Sequence, residues 1–356
     1  MKRWLLGNDR VELGITERCG MLDPVRFSTP RGVLEPLHRA PWRQDEGASE
    51  IPLLQHLAGD FFCMPFGASD VLPDEGRPHG TTANGDWSLL ERTEDRLVLE
   101  LAKPLAGATV RKTVCLQDGQ PVIYQQHDIL GGSGTLPLGH HTMLHASEPL
   151  NLSFAPWVWG GTPPEPVETP ATQGRSLLAY PQTFDDLQQI ACADGSSVDL
   201  SVFPKLEQSE EILMLIADQS APLVWSAATA PRAGWVWFAL KDARVLRNTV
   251  LWMSNGGRDY PPFSGRHRRC LGIEEVTGYF HLGHRASAGN NPLQEHGHPT
   301  AVRLEPEGTL TVRYAFGVTP VPPGFKRVQA IETDGDGLLL KGEAGSVHLP
   351  FDRRFL

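Results

Sequence analysis

Short runs in which apolar and polar residues alternate dominate this chain, a period of two that a half-buried strand produces. Val11, Leu13 and Ile15 alternate with Glu12 and Gly14. In TVRKTVCL (109–116), Val110, Lys112, Val114 and Leu116 share one side, and Thr109, Arg111, Thr113 and Cys115 the other. A turn at Gly119–Pro121 leads into VIYQQHDIL (122–130). Further strands are predicted as a pair within 88–101, at 137–146 and at 150–160. In the second half they fall at 198–203, 211–217, 222–228, 234–240, 244–252, 269–276, 300–304, 309–316, 325–332 and 346–351. One stretch departs from this period. Across 48–62, Ile51, Leu54, Leu57 and Ala58 sit at helical spacing, with Ser49 as cap and Pro52 in the first turn. The proline-rich residues 161–174 suit neither helix nor central strand and read as a long surface loop. No fixed-period repeat is visible, which argues against a propeller. The strands are too many for an immunoglobulin-sized sandwich. The pattern predicts an all-β, large antiparallel double-sheet β-sandwich with few short helices, residues 1–356 forming one domain and a polar site on its concave face.

Composition agrees with that picture. The 356 residues include 36 Gly, 30 Pro, 9 Trp and 14 Phe, which is many turn formers between aromatic and β-branched runs. A formal net charge of -10 without a basic patch excludes nucleic acid and anionic membrane as main partners. The apolar runs are too short to span a bilayer, and MKRWLLGND loses its apolar run at Gly7, so a cytoplasmic location is expected. Cys19, Cys63, Cys115, Cys192 and Cys270 are dispersed without a CxxC pair, as expected of buried thiols in a reducing compartment.

Nucleotide-loop, HExxH and GxSxG motifs are absent, so no cofactor is expected. DGDG (334–337) supplies two carboxylates and no flanking helices, and reads as a turn rather than a calcium loop. Three stretches carry candidate chemistry. FFCMPFG (61–67) leads an aromatic wall towards the polar turn HGTTANGDW (79–87). His140, His141 and His145 form the densest histidine group; on a strand His141 and His145 share a face with Met143 and His140 points away. In CLGIEEVTGYF (270–280), adjacent Glu274 and Glu275 must face opposite ways, one solvated and the other, taken as Glu274, turned in beside Gly272. Each histidine also fits a plain structural role.

PFG, then HG-x6-W, then a paired histidine entering a strand, then C-x-x-x-E resembles the aldose 1-epimerase family of galactose-mutarotase-like proteins over roughly residues 55–330. The resemblance implies a large antiparallel sandwich open to a small-molecule carbohydrate, and mutarotase-like interconversion of the anomers of an aldose or sugar derivative. It implies Glu274 as base on the anomeric hydroxyl, His141 as acid on the ring oxygen and His79 as a sugar-holding histidine, with Asp186 as a looser substrate contact. Two family arginines are missing: none follows PFGASDVL, and Asn84 stands where an HGFAR-like motif carries the second. Both departures weigh against galactose, glucose and hexose phosphates as substrates. Trp87, Trp157, Trp159 and Trp252 are candidates for stacking on sugar C–H faces, and Asn255, Arg258 and Tyr260 for replacing the lost polar contacts. A non-catalytic carbohydrate-binding protein on the same fold is the second reading. A metal-dependent sugar isomerase or epimerase using His127, Asp128, the 140–145 histidines or EHGH (295–298) is the third, without recognisable metal spacing. The assembly state is left open, a homodimer included.

Overall fold

The computed structural model describes residues 2–71 and 76–356. Two large antiparallel sheets carry the chain. One has eleven strands, running across it as Arg3–Gly7, Val11–Thr16, Leu22–Thr29, Asp60–Cys63, Leu138–His145, Cys270–Thr277, Asn248–Asn255, Ser209–Ala217, Trp157–Gly161 and Thr183–Phe184, with Gly32–Leu34 added on Leu22–Thr29. The other has nine, from Val202–Phe203 through Trp235–Lys241, Thr309–Pro320 and Val122–Gly131 to Trp87–Arg92. Among the described residues, helices are confined to segments of four or five residues and one 3-10 turn. None of them is long and apolar enough to cross a membrane.

Alternation along each strand sorts side chains into three apolar layers. The largest lies between the sheets and takes Phe62, Leu144, Leu251, Ile273 and Leu213 from the first sheet, with Val110, Val114, Trp237 and Tyr314 from the second. A second covers the outer face of the eleven-stranded sheet, where Phe61, Met143, Val250 and Trp252 meet Leu53, Leu57 and Phe263. The third lies under the hairpin sheet Val328–Asp334, Gly337–Gly342 and Gly345–Pro350, whose Ile331, Leu338, Leu340 and Leu349 cover Val236, Phe238 and Leu240. DGDG is the turn of that sheet, with Asp334 opposite Gly337.

The inter-sheet layer also holds charge. Lys241 of the nine-stranded sheet pairs with Glu275 of the eleven-stranded one, and Glu275 accepts from Thr249 Oγ1 at 2.8 Å and from Ser226 Oγ. This corrects the expectation that one of the adjacent acids is solvated: both are buried, on opposite faces. Lys112 keeps its predicted face and is buried there, donating to the Gly20 carbonyl at 2.9 Å. Asp60 accepts from Thr142 Oγ1 at 2.7 Å and Gln125 Nε2 at 2.7 Å, with His140 alongside at 3.4 Å.

The helix predicted across 48–62 is a second correction. Only Pro52–His56 is helical, with Ile51 and not Ser49 at the N-cap position and no side-chain cap. The chain leaves the helix at Leu57 and turns at Gly59, φ +67°, where a Cβ would lie 1.9 Å from the Leu22 carbonyl oxygen. It then enters the strand Asp60–Cys63. The helical spacing nonetheless marks the side chains that roof the outer apolar layer.

Candidate functional site

A cavity of about 240 Å³ opens on the outer face of the eleven-stranded sheet. Strand register builds its floor. His141 stands opposite Phe61 on one side and Glu274 on the other, and Glu274 stands opposite Val250. These residues therefore project from the same face in adjacent rows. His141 Nε2 lies 3.3 Å from Glu274 Oε1, and the imidazole stacks on Phe61 with centroids 4.6 Å apart. Two residues along, Gly272 pairs with Trp252. A Cβ at Gly272 would sit 2.8 Å from Glu274 Oε1 and 2.9 Å from Trp252 Cβ, so only glycine leaves room for the carboxyl beside the indole.

The walls come from loops. His79 has a left-handed backbone, φ 63°, and is followed by Gly80 at φ +70°, where a Cβ would meet the Met64 carbonyl oxygen at 2.3 Å. A non-glycine residue held in that region is strained, and here the strain turns the ring into the cavity. His79 packs edge-on to His141 with centroids 4.9 Å apart, and its Nδ1 faces the Gly67 N–H at 3.4 Å. His281 closes the same side. Opposite, Arg258 lies over the rings of Trp252 and Phe263, 5.6 and 4.7 Å from their centroids. Its Nε donates to Glu168 Oε1 at 2.8 Å and lies 3.2 Å from Glu210 Oε1. Glu210 also accepts from Ser254 Oγ at 2.8 Å and from the Trp252 indole. Tyr260 donates to Glu168 at 2.7 Å. Leu53, Leu54 and Leu57 form an apolar roof.

Burial sets the charge states. It holds the Glu274 carboxyl well above the usual carboxylate range, against the opposing pull of Arg258. It also drives the His141 imidazole well below its ordinary value, with His79 adding to the effect. Burial lowers His79 to about 3 and His281 to about 4. Glu274 and His141 therefore rest as a neutral pair with one transferable proton between them, the combination that acid–base work needs. A wider cleft of about 970 Å³ opens beside Gln117 and the C-terminal sheet, but Arg244 and Arg354 there pair with Asp242 and Asp352. The smaller cavity holds Glu274 and His141.

Of the predicted site residues, Glu274, His141, His79, Trp252 and Arg258 converge on the cavity. Three do not. Asn84 is buried beneath it, accepting from Leu53 N and donating to the carbonyls of Pro78 and Gly80, so it braces roof and loop. Trp87 is core: its indole donates to the Thr82 carbonyl and packs against Gly20. Asp186 is exposed and caps its own turn through Gln188 N at 2.9 Å. Trp157 and Trp159 also lie outside the lining. Asn255 bonds the backbone at Leu206 and Arg269, and Tyr260 acts through Glu168. The ligand set of the metal-dependent reading does not assemble. His127 and His140 stack with Phe62 and Tyr314 between the sheets, Asp128 accepts from Gln126 and Thr311, and His296 lies on the surface. Sequence reasoning passed over His281, Glu210 and Glu168. The HLGH run directly after the Glu274 strand was the signal for the first.

No protein-family model matches the sequence, and no curated protein matches it. Solved structures match in fold. A galactose mutarotase related enzyme from Lactobacillus acidophilus superposes with a TM-score of 0.59 at 10% identity, over 90% of this chain and 99% of its own. An aldose 1-epimerase candidate from Escherichia coli K12 gives 0.59 at 13% identity, over 90% and 99%. A galactose mutarotase-like protein from Lactobacillus casei gives 0.58 at 13% identity, over 89% and 100%. The fold is thus the galactose-mutarotase-like β-sandwich, matched along most of the chain.

Proposed function

We propose that this protein interconverts the anomers of an aldose or a sugar derivative, with Glu274 and His141 as the acid–base pair. The observation that carries the reading is the 3.3 Å approach of His141 Nε2 to Glu274 Oε1 on the floor of a cavity. The proteins of the same fold, a galactose mutarotase related enzyme and an aldose 1-epimerase candidate, support it.

Anomer exchange needs one group to take the C1 hydroxyl proton and another to protonate the ring oxygen. The C1–O5 bond breaks, the aldehyde turns about C1–C2, and the groups exchange roles on closure. The pair already holds the single proton this cycle requires. A sugar whose hydroxyls hydrogen-bond Glu274 favours its carboxylate, and the proton passes to His141. Glu274 then acts as base at the anomeric hydroxyl and His141 as acid at O5. His79 and His281, both neutral, and the fixed guanidinium of Arg258 offer contacts to the remaining hydroxyls. Trp252 offers a face to the ring C–H groups. A cavity of about 240 Å³ suits one small ring, below the roughly 300–1,000 Å³ of sites for drug-sized ligands.

The direct His141–Glu274 contact favours binding without turnover as the second reading, because a sugar must part the two groups before it can react. Optical rotation of freshly dissolved aldoses and uronic acids, followed with and without the protein, separates the two. Faster relaxation for one sugar class supports the enzyme; buffer-rate relaxation of a sugar that binds supports the second reading.

A further inference from the structure

Behind the Trp252 indole, on the side away from the cavity floor, three side chains gather that the proposed reaction does not use. His38, His267 and Cys270 are all buried, and their ligating atoms lie within 4.8 Å of one another. His267 stacks on Trp252 with centroids 5.1 Å apart, and His38 packs edge-on to His267 at 4.7 Å. The hydrogen bonds around the cluster set the tautomer of His267. Glu210 receives the Ser254 hydroxyl at 2.8 Å, so Ser254 Oγ accepts from His267 Nδ1 at 2.7 Å, and Nε2 of that ring is left as a bare lone pair. His38 Nδ1 faces Nδ1 of the exposed His145 at 3.3 Å, and a neutral imidazole that donates there also leaves Nε2 bare. Both Nε2 atoms are buried without a hydrogen-bond partner. Unpartnered buried nitrogens are uncommon enough to need a reason, and two of them beside one thiol supply a ligand set.

We propose that His38, His267 and Cys270 bind one soft, monovalent d10 metal ion, of which copper(I) is the common example. Ligand type and count select it. Zinc(II) in closed sites takes four ligands, whereas the set gathered here among the described residues is three, without a carboxylate. Charge selects it too. A thiolate with a monovalent ion is neutral, while a divalent ion would leave net positive charge among Trp42, Phe263 and Met143. Both imidazoles already have their second nitrogen engaged, by Ser254 and by His145, as metal-bound histidines usually do. His145, which faces His38, is itself exposed to solvent. On binding, the Cys270 S–H bond breaks, sulfur keeps the electron pair as the metal–thiolate bond, and the proton passes to solvent. No change of metal oxidation state is involved.

The test is an anaerobic titration of the full-length, reduced protein with copper(I) in competition with bicinchoninate. Wild type and a Cys192→Ala variant, which removes a thiol elsewhere in the chain, are expected to hold one equivalent. Cys270→Ala and His267→Ala are expected to weaken retention by at least about 10–100-fold, the range already seen when only outer-shell partners are lost. X-ray absorption on the copper-loaded wild type needs no variant to fold and should show one sulfur and two nitrogen scatterers. Failure of wild type to retain copper, retention by Cys270→Ala equal to wild type, a spectrum without sulfur, or retention of zinc(II) but not copper(I) would each overturn the assignment. None of these outcomes bears on anomer exchange, which is read with Glu274 and His141.

Discussion

At the scale of single residues, the account rests on which face of a strand each polar side chain takes. His79 is placed to hold substrate and not to move its protons. His79→Gln should therefore raise KM by about 2–10-fold, the worth of one neutral hydrogen bond, and leave kcat nearly unchanged. A proportional fall in kcat would put His79 in the proton transfers instead. Alternation separates His141 from His140 and Glu274 from Glu275, the family resemblance selects His141 and Glu274, and antiparallel register sets those two side by side. It misplaces Asn84, Trp87 and Asp186 because their residue types suit a sugar site equally well on a brace, in a core or in a surface turn. Glu210 and Glu168 have no local mark. Both meet the site at Arg258, which lies 48 and 90 positions further along the chain.

At the scale of elements, the His-Gly step is a backbone device. Gly80 lets the loop cross the Met64 carbonyl and so aims the His79 ring. Gly80→Ala should destabilise the fold by about 1–3 kcal/mol through backbone strain and steric contact, measured as a lowered urea midpoint. Any sugar affinity should fall with it, whereas Gly7→Ala, where φ is ordinary and no atom would lie nearer than 3.4 Å, should change neither. Most strands are legible because period-two alternation survives in them, as in 108–115 and 122–131. The helix over 48–62 fails for a physical reason. Helical spacing of leucines reports a roof over the outer apolar layer, while the turn at Gly59 and the strand after it are imposed by contact with Leu22, which no local pattern encodes.

At the scale of the whole molecule, two sheets are joined by buried charge as well as by apolar packing. Lys241→Met leaves Glu275 buried without its cation and should cost about 3–5 kcal/mol in denaturant unfolding. A loss near zero would mean that Glu275 is held by Ser226 and Thr249 alone. The buried histidines give stability a pH slope. His79 and His281 fall from 6.5 to about 3 and about 4, so below pH 6.5 the unfolded chain takes up protons that the native state refuses. Their contribution is complete above pH 6.5 and is lost as pH falls towards those values. Glu211, raised by burial from 4.5 to about 7, acts in the opposite sense, losing its contribution as pH rises through that window. Glu274 and Glu210 are raised by burial and act with Glu211, but the buried histidines His38, His127, His141 and His267 shift with His79 and His281 and outnumber the three carboxyls. The urea midpoint should fall between pH 7 and pH 5, and less steeply in His281→Gln. A flat profile would contradict burial of neutral histidines. The all-β double sheet is legible from strand number and turn composition. The polar layer between the sheets is not, because His140 and Glu275 look in the sequence like ordinary solvent-facing alternation, and Lys112, though on the apolar side of its strand, carries no mark of its distant partner Gly20.

The central claim is that one proton shared by Glu274 and His141 drives anomer exchange. One-dimensional NMR saturation transfer on the sugar class selected by optical rotation tests it most directly, because exchange rate and ligand line width are read from the same sample. Wild type should transfer saturation between the α and β anomeric protons. Glu274→Gln and His141→Gln should each lose about 100-fold or more of that rate while still broadening the sugar signals. A Glu274→Gln protein that folds, binds and exchanges anomers at the wild-type rate would contradict the account.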